Sequence, residues 1–93
     1  MFIHSVIFYL DQCAAKFGSD YKTAKMLGVS QAIISVIRKR NAISDKYAVK
    51  IAKLLEIEPE ILLIVAAIHR SVGKTKNHWI RIYRIYAHNN ANQ

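Results

Sequence analysis

Residues 20–39 read DYKTAKMLGVSQAIISVIRK, and this stretch decides the fold. Two short apolar-periodic segments, 21–27 and 31–39, flank Gly28, and spacings of three and four between apolar residues are those of a helix face. Gly28 reaches the positive φ of a tight turn without a Cβ clash, Val29 is the buried turn residue, and Ser30 is the expected N-cap of the second helix. The small Ala24 lets the two helices approach closely. Leu27, Val29, Ile34 and Ile37 then form the inner faces, and Ser30, Gln31, Ala32, Ser35 and Val36 are left pointing away from them.

Upstream, Ile3, Val6, Ile7, Leu10, Cys13, Ala14 and Phe17 trace one stripe of an amphipathic helix over residues 1–17. Gly18 stops it, and either Ser19 or Asp20 can cap the next helix. Downstream, Asn41 breaks the second segment of the hairpin. Ser44 is an N-cap with Asp45 in the first turn, and Ala48, Ile51, Ala52, Leu54 and Leu55 give a fourth helix its apolar face. Residues 56–58 connect to a fifth helix over 59–70, which starts at Pro59, because proline lacks only an amide that would be orphaned there anyway. Ile61, Leu62, Ile64, Val65 and Ile68 make that helix apolar nearly all round, so it either lies in the core or offers a face to a partner chain.

Residues 71–75 read as a linker, and the remaining tail fits two patterns. Trp79, Ile82, Tyr83 and Tyr86 share a helical face, for packing or dimerisation, whereas the Trp-Ile-Arg-Ile-Tyr alternation fits a strand. A sixth helix is the preferred form, with residues 89–93 frayed. The expected fold is all-α: a helix-turn-helix domain over residues 1–70 and a basic, aromatic C-terminal extension over 71–93.

The 93 residues carry a net charge of +8, which points to an anionic partner. The excess is concentrated in two places. Lys22, Lys25, Arg38, Lys39 and Arg40 lie between Tyr21 and Ile43 with no acidic residue among them, and Lys74, Lys76, Arg81 and Arg84 lie in the tail. A solvated helix face accounts for either cluster alone. Combined with the hairpin, the first cluster has a specific use: Lys22, Lys25, Arg38, Lys39 and Arg40 neutralise phosphates, while a helix over 31–39 enters the major groove. Gln31 pairs with adenine, Ser35 reaches a base edge or phosphate, and Ala32 or Val36 meets a thymine methyl.

The segment 20–39, with Ala24, Gly28, Val29, Ile34 and Ile37 in these positions, resembles the helix-turn-helix of the Cro/CI-type repressors. Residues 1–70 follow the five-helix, λ-repressor-like arrangement of that family. Residues 20–70, with Ala52-Lys53-Leu54-Leu55 and Ile57-Glu58-Pro59-Glu60, look like small regulators encoded by phages and prophages. The resemblance implies a cytoplasmic transcriptional regulator, a repressor by preference, that binds double-stranded DNA as a homodimer. It stops at Ser71, and Asp20-Tyr21-Lys22-Thr23 is poorer in glutamine than the family's second helix usually is.

Other chemistry has little support. His4, His69, His78 and His88 lie far apart with no metal-ligand spacing, so neither a metal nor a cofactor is expected. Glu56, Glu58 and Glu60 sit at a helix start, where the dipole already favours carboxylates, and no enzyme is expected. Cys13 lies on an apolar stripe as a core thiol, and a lone cysteine suits a reducing compartment. No apolar run reaches the roughly twenty residues of a membrane span. The competing function is a protein-interaction module, an antitoxin or phage adaptor, working through helix 59–70 and the tail.

Overall fold

Helix ends in this chain fall where hydroxyl and left-handed residues permit them. A computed structural model describes residues 3–91. Its six helices are α1 (Val6–Phe17), α2 (Asp20–Leu27), α3 (Gln31–Arg40), α4 (Asp45–Leu55), α5 (Pro59–Arg70) and α6 (Gly73–Ala91). The hydroxyls of Ser5, Ser19 and Ser44 accept from the amides of Phe8, Lys22 and Tyr47, each satisfying a donor that the first helical turn leaves open. Pro59 opens α5 as expected.

Several boundaries differ from the sequence reading. The expected start of α1 at residue 1 lies outside the described residues. Residues 3–5 are not helical, because Ser5 takes the extended N-cap conformation and starts the helix at Val6. Ser30 occupies the N-cap of α3 but its side chain makes no capping hydrogen bond. The linker expected over 71–75 is shorter, since α6 begins at Gly73; α6 continues through 89–91, part of the stretch 89–93 where fraying was expected, and residues 92–93 lie outside the described residues. Asn41 and Glu56 close α3 and α4 in the left-handed conformation, at φ 51° and 59°.

The core grows around α1 and α5. α1 touches α2, α3, α4 and α5, while α5 lies between α4 and α6. Val6, Leu10, Cys13, Ile34, Ile51, Leu62 and Val65 are wholly buried. Leu62, Ile64, Val65, Ala66, Ala67 and Ile68 are all buried on α5, so the helix that reads as apolar all round is a core helix. α6 covers it with Tyr83, which is 7% exposed, and with Trp79, Ile80, Tyr86 and Ala87.

One local and one long-range polar contact complete the packing of the hairpin. Thr23, the buried polar residue of α2, donates its hydroxyl to the Ser19 carbonyl at 2.9 Å, so no polar atom is stranded there. Asn41 accepts from the Ile7 amide at 3.3 Å, tying the end of α3 to the first turn of α1. Among the described residues no helix is long and apolar enough to cross a membrane.

Candidate nucleic-acid interface

The α2–α3 turn forms as its residue types require. Gly28 adopts φ 74°, its amide donates to Lys25 at 3.2 Å, and the Val29 amide donates to Ala24 at 3.0 Å. These bonds satisfy the last carbonyls of α2 and reverse the chain within three residues. Ala24 is 2% exposed at the crossing, and Leu27, Ile34 and Ile37 are buried. Val29 and Ile33 pack against the core from its edge.

Ser30, Gln31, Ala32, Ser35 and Val36 all lie on the exposed side of the hairpin, and Val36 is 47% exposed. They form a slim, uncharged strip along α3. The Ser35 hydroxyl donates back to the Gln31 carbonyl at 3.3 Å, within the helix, and its oxygen lone pairs still face outward. No packing or capping requirement accounts for the Gln31 side chain.

The five basic residues divide into two groups. Arg38, whose side chain is 26% exposed, is engaged within the fold. Its Nε and Nη2 donate to the two carboxylate oxygens of Asp20 at 2.8 and 2.9 Å, and its Nη1 donates to Asp11 at 2.7 Å. The bidentate fork, reinforced by Asp11, holds the guanidinium charged ever more firmly, the Asp20 hydrogen bonds being the largest cause. Arg38 is thus a clamp joining α3 to α2 and α1, a use that its expected phosphate role did not include.

Lys22, Lys25, Lys39 and Arg40 are exposed. The Lys25 ammonium sits 4.7 Å from the Tyr21 ring centroid, within cation–π range. Lys39 and Arg40 lie in the last turn of α3, where cations also offset the helix dipole. That contribution accounts for their charge without a partner, but not for the bare uncharged strip beside them.

Sequence reading missed the wall next to this strip. Ala32, Val36 and Arg40 also line an open apolar groove whose far side is formed by Ile43, Ser44 and Tyr47 from the α3–α4 connection and α4. Arg70, at the end of α5, holds that connection in place: Nη1 donates to Asp45 at 2.7 Å and to the Ile43 carbonyl at 3.4 Å. The signal was too weak to find from sequence, because Arg70 and Asp45 are 25 residues apart.

The tail residues separate as well. Trp79, Tyr83 and Tyr86 share the face packed on the core, but Ile82 does not: it is 44% exposed, and Ile80 and Ala87 complete the packed face instead. Ile82 and Ile85, 55% exposed, point outward together.

Cys13 and His69 lie away from the exposed strip of α3. Cys13 is buried and its thiol pKa is pushed up to about 11, chiefly by burial, which keeps it protonated and unreactive at neutral pH. The buried Nε2 of His69 has no hydrogen-bond partner. Burial lowers that imidazole's pKa and Lys76 lowers it further, against a hydrogen bond with the His4 backbone. Among the described residues no three His, Cys, Asp or Glu side chains are grouped to hold a metal ion.

No family model matches the chain, and neither a curated protein nor a solved structure does.

Proposed function

We propose that this chain is a sequence-specific double-stranded DNA-binding protein of the Cro/CI type, acting as a transcriptional repressor of the kind carried by phages and prophages. The observation that carries the reading is the outer strip of α3. Gln31, Ala32, Ser35 and Val36 are exposed on a helix whose other side is buried, and folding makes no use of them. A helix presented in this way fits the major groove, where a glutamine amide matches adenine and small apolar groups match a thymine methyl. Lys22, Lys25, Lys39 and Arg40 flank it and serve the phosphates, which give affinity and register but little sequence information.

Operators read by such proteins are two-fold symmetric, so the active form is a homodimer. The outward Ile82 and Ile85 of α6 supply an apolar contact for it. The rival reading, a protein-interaction module, loses one of its two surfaces, since α5 is covered by α4 and α6.

Two classes of substitution test the assignment. Replacing Gln31 or Ser35 with alanine relaxes preference for the cognate sequence by about 1–3 kcal/mol per lost base contact. Replacing Lys39 or Arg40 weakens binding to all duplexes alike and reduces the dependence on salt. Titrations of cognate and scrambled duplexes at several salt concentrations separate the two. Equal losses on both duplexes for Gln31→Ala contradict the base-reading role.

A further inference from the structure

One flank of α3 faces a space that neither the core nor the base-reading strip fills. Ile33 and Val36 look across an open groove of about 600 Å³ toward Ile43 and Tyr47. That volume lies within the range of small-molecule sites, about 300–1,000 Å³, and such sites are mainly apolar with a few placed polar groups. Here the placed groups are cationic. Arg40 and Arg70 are the charged residues of the lining, and no carboxylate belongs to it.

The two arginines differ in state. Arg70 is held by Asp45 and the Ile43 carbonyl, whereas the Arg40 guanidinium makes no hydrogen bond or ion pair among the described residues. An apolar trough with an unpartnered guanidinium at its edge is complementary to a molecule with an apolar body and one anionic head. A cation meets the like charge of Arg40 there, the charge of Arg70 being offset by Asp45, and a neutral hydrocarbon gains nothing from the exposed Arg40 guanidinium.

We propose that the groove binds a small amphipathic carboxylate, its apolar chain along Ile33, Val36, Ile43 and Tyr47 and its head on Arg40. Val36 and Arg40 belong also to the face assigned to DNA, so bound ligand and DNA exclude each other. This regulatory consequence rests on the DNA-binding reading, while the ligand site itself does not.

The probe is sodium decanoate, kept below its micelle-forming concentration and titrated into the full isotope-labelled chain without DNA. Saturable amide shifts centred on Ile33, Val36, Ile43 and Tyr47 are expected. Arg40→Ala weakens binding about fivefold, the size of one exposed ion pair. Val36→Glu, at an exposed position, keeps the folded spectrum and abolishes binding by placing a carboxylate in the trough. Decyltrimethylammonium, with the same apolar chain and the opposite charge, binds at least about fivefold more weakly than decanoate. Shifts scattered over the chain, unchanged affinity in Val36→Glu, or equal binding of the cation overturn the site. In a second arm, decanoate lowers the affinity of the wild-type chain for DNA. A chain that binds decanoate here but binds no DNA upholds the site and removes the DNA reading, whereas DNA binding without any decanoate response overturns the site.

Discussion

α3 and α5 are both rich in isoleucine, yet the fold treats them differently. α5 buries six residues between α4 and α6, on several sides of the helix. α3 buries only Ile34 and Ile37 and leaves Gln31, Ala32, Ser35 and Val36 bare. The difference separates residues that folding requires from residues it does not. Apolar surface on α5 is explained once α6 lies on it, whereas the exposed strip of α3 takes no part in the packing.

Breaking the comparison at its α5 end has the largest expected effect. Leu62→Ala leaves a cavity in a wholly buried site and costs about 2–5 kcal/mol of stability, measured by denaturant unfolding. Val36→Ala on α3 changes stability by less than about 0.5 kcal/mol, as for other surface substitutions. Comparable losses at the two positions remove the distinction between a folding helix and a presenting helix.

The clamp at Arg38 sharpens the same contrast within α3. Arg38→Met leaves Asp20 and Asp11 facing each other's charge without the fork, and costs about 1–2 kcal/mol, below the full range for hydrogen bonds to charged groups because solvent screens the exposed Asp11. Its neighbour Lys39, with only the helix dipole to offset, loses DNA affinity when replaced by alanine and at most about 0.3–1 kcal/mol of stability. An Arg38→Met chain as stable as the wild type, with reduced DNA binding, restores Arg38 to the phosphate contacts.

A smaller effect concerns the α5–α6 region and pH. Burial lowers the pKa of His69, so the folded chain holds it neutral when the unfolded chain begins to take up a proton. Stability from this site is therefore full above the ordinary imidazole value and declines as pH falls below it toward the lower folded value. Unfolding midpoints measured across pH 7.5 to 5 fall with acid in the wild type and fall less in His69→Gln. A wild-type midpoint independent of pH contradicts the buried, unpartnered Nε2.

The hairpin was legible because its signals are local. Gly28, Ala24 and Ser30 each demand a conformation or a close approach within a few residues, and their order leaves few alternatives. The six-helix, all-α architecture follows from similar local signals at Gly18, Ser44 and Pro59. What escaped depended on distance or on ambiguity. Apolar periodicity continues through Ile3 across the Ser5 cap, so it hides the true start of α1. Nothing about Glu56 announces a left-handed cap. The alternating Trp-Ile-Arg-Ile-Tyr run satisfies several faces at once, and only packing on α5 selects Ile80 over Ile82. Arg38 looks like any other member of a basic cluster until Asp11 and Asp20, 27 and 18 residues away, are brought to it.

The bare strip of α3 is the surface proposed to read DNA. Its most direct test is selection of the full chain on random-sequence duplexes, followed by sequencing, at about 150 mM salt, where nonspecific charge attraction is screened. Enrichment of a short inverted repeat with half-sites about one helical turn apart is expected. Recovery of no motif, with only weak and salt-sensitive binding, contradicts it.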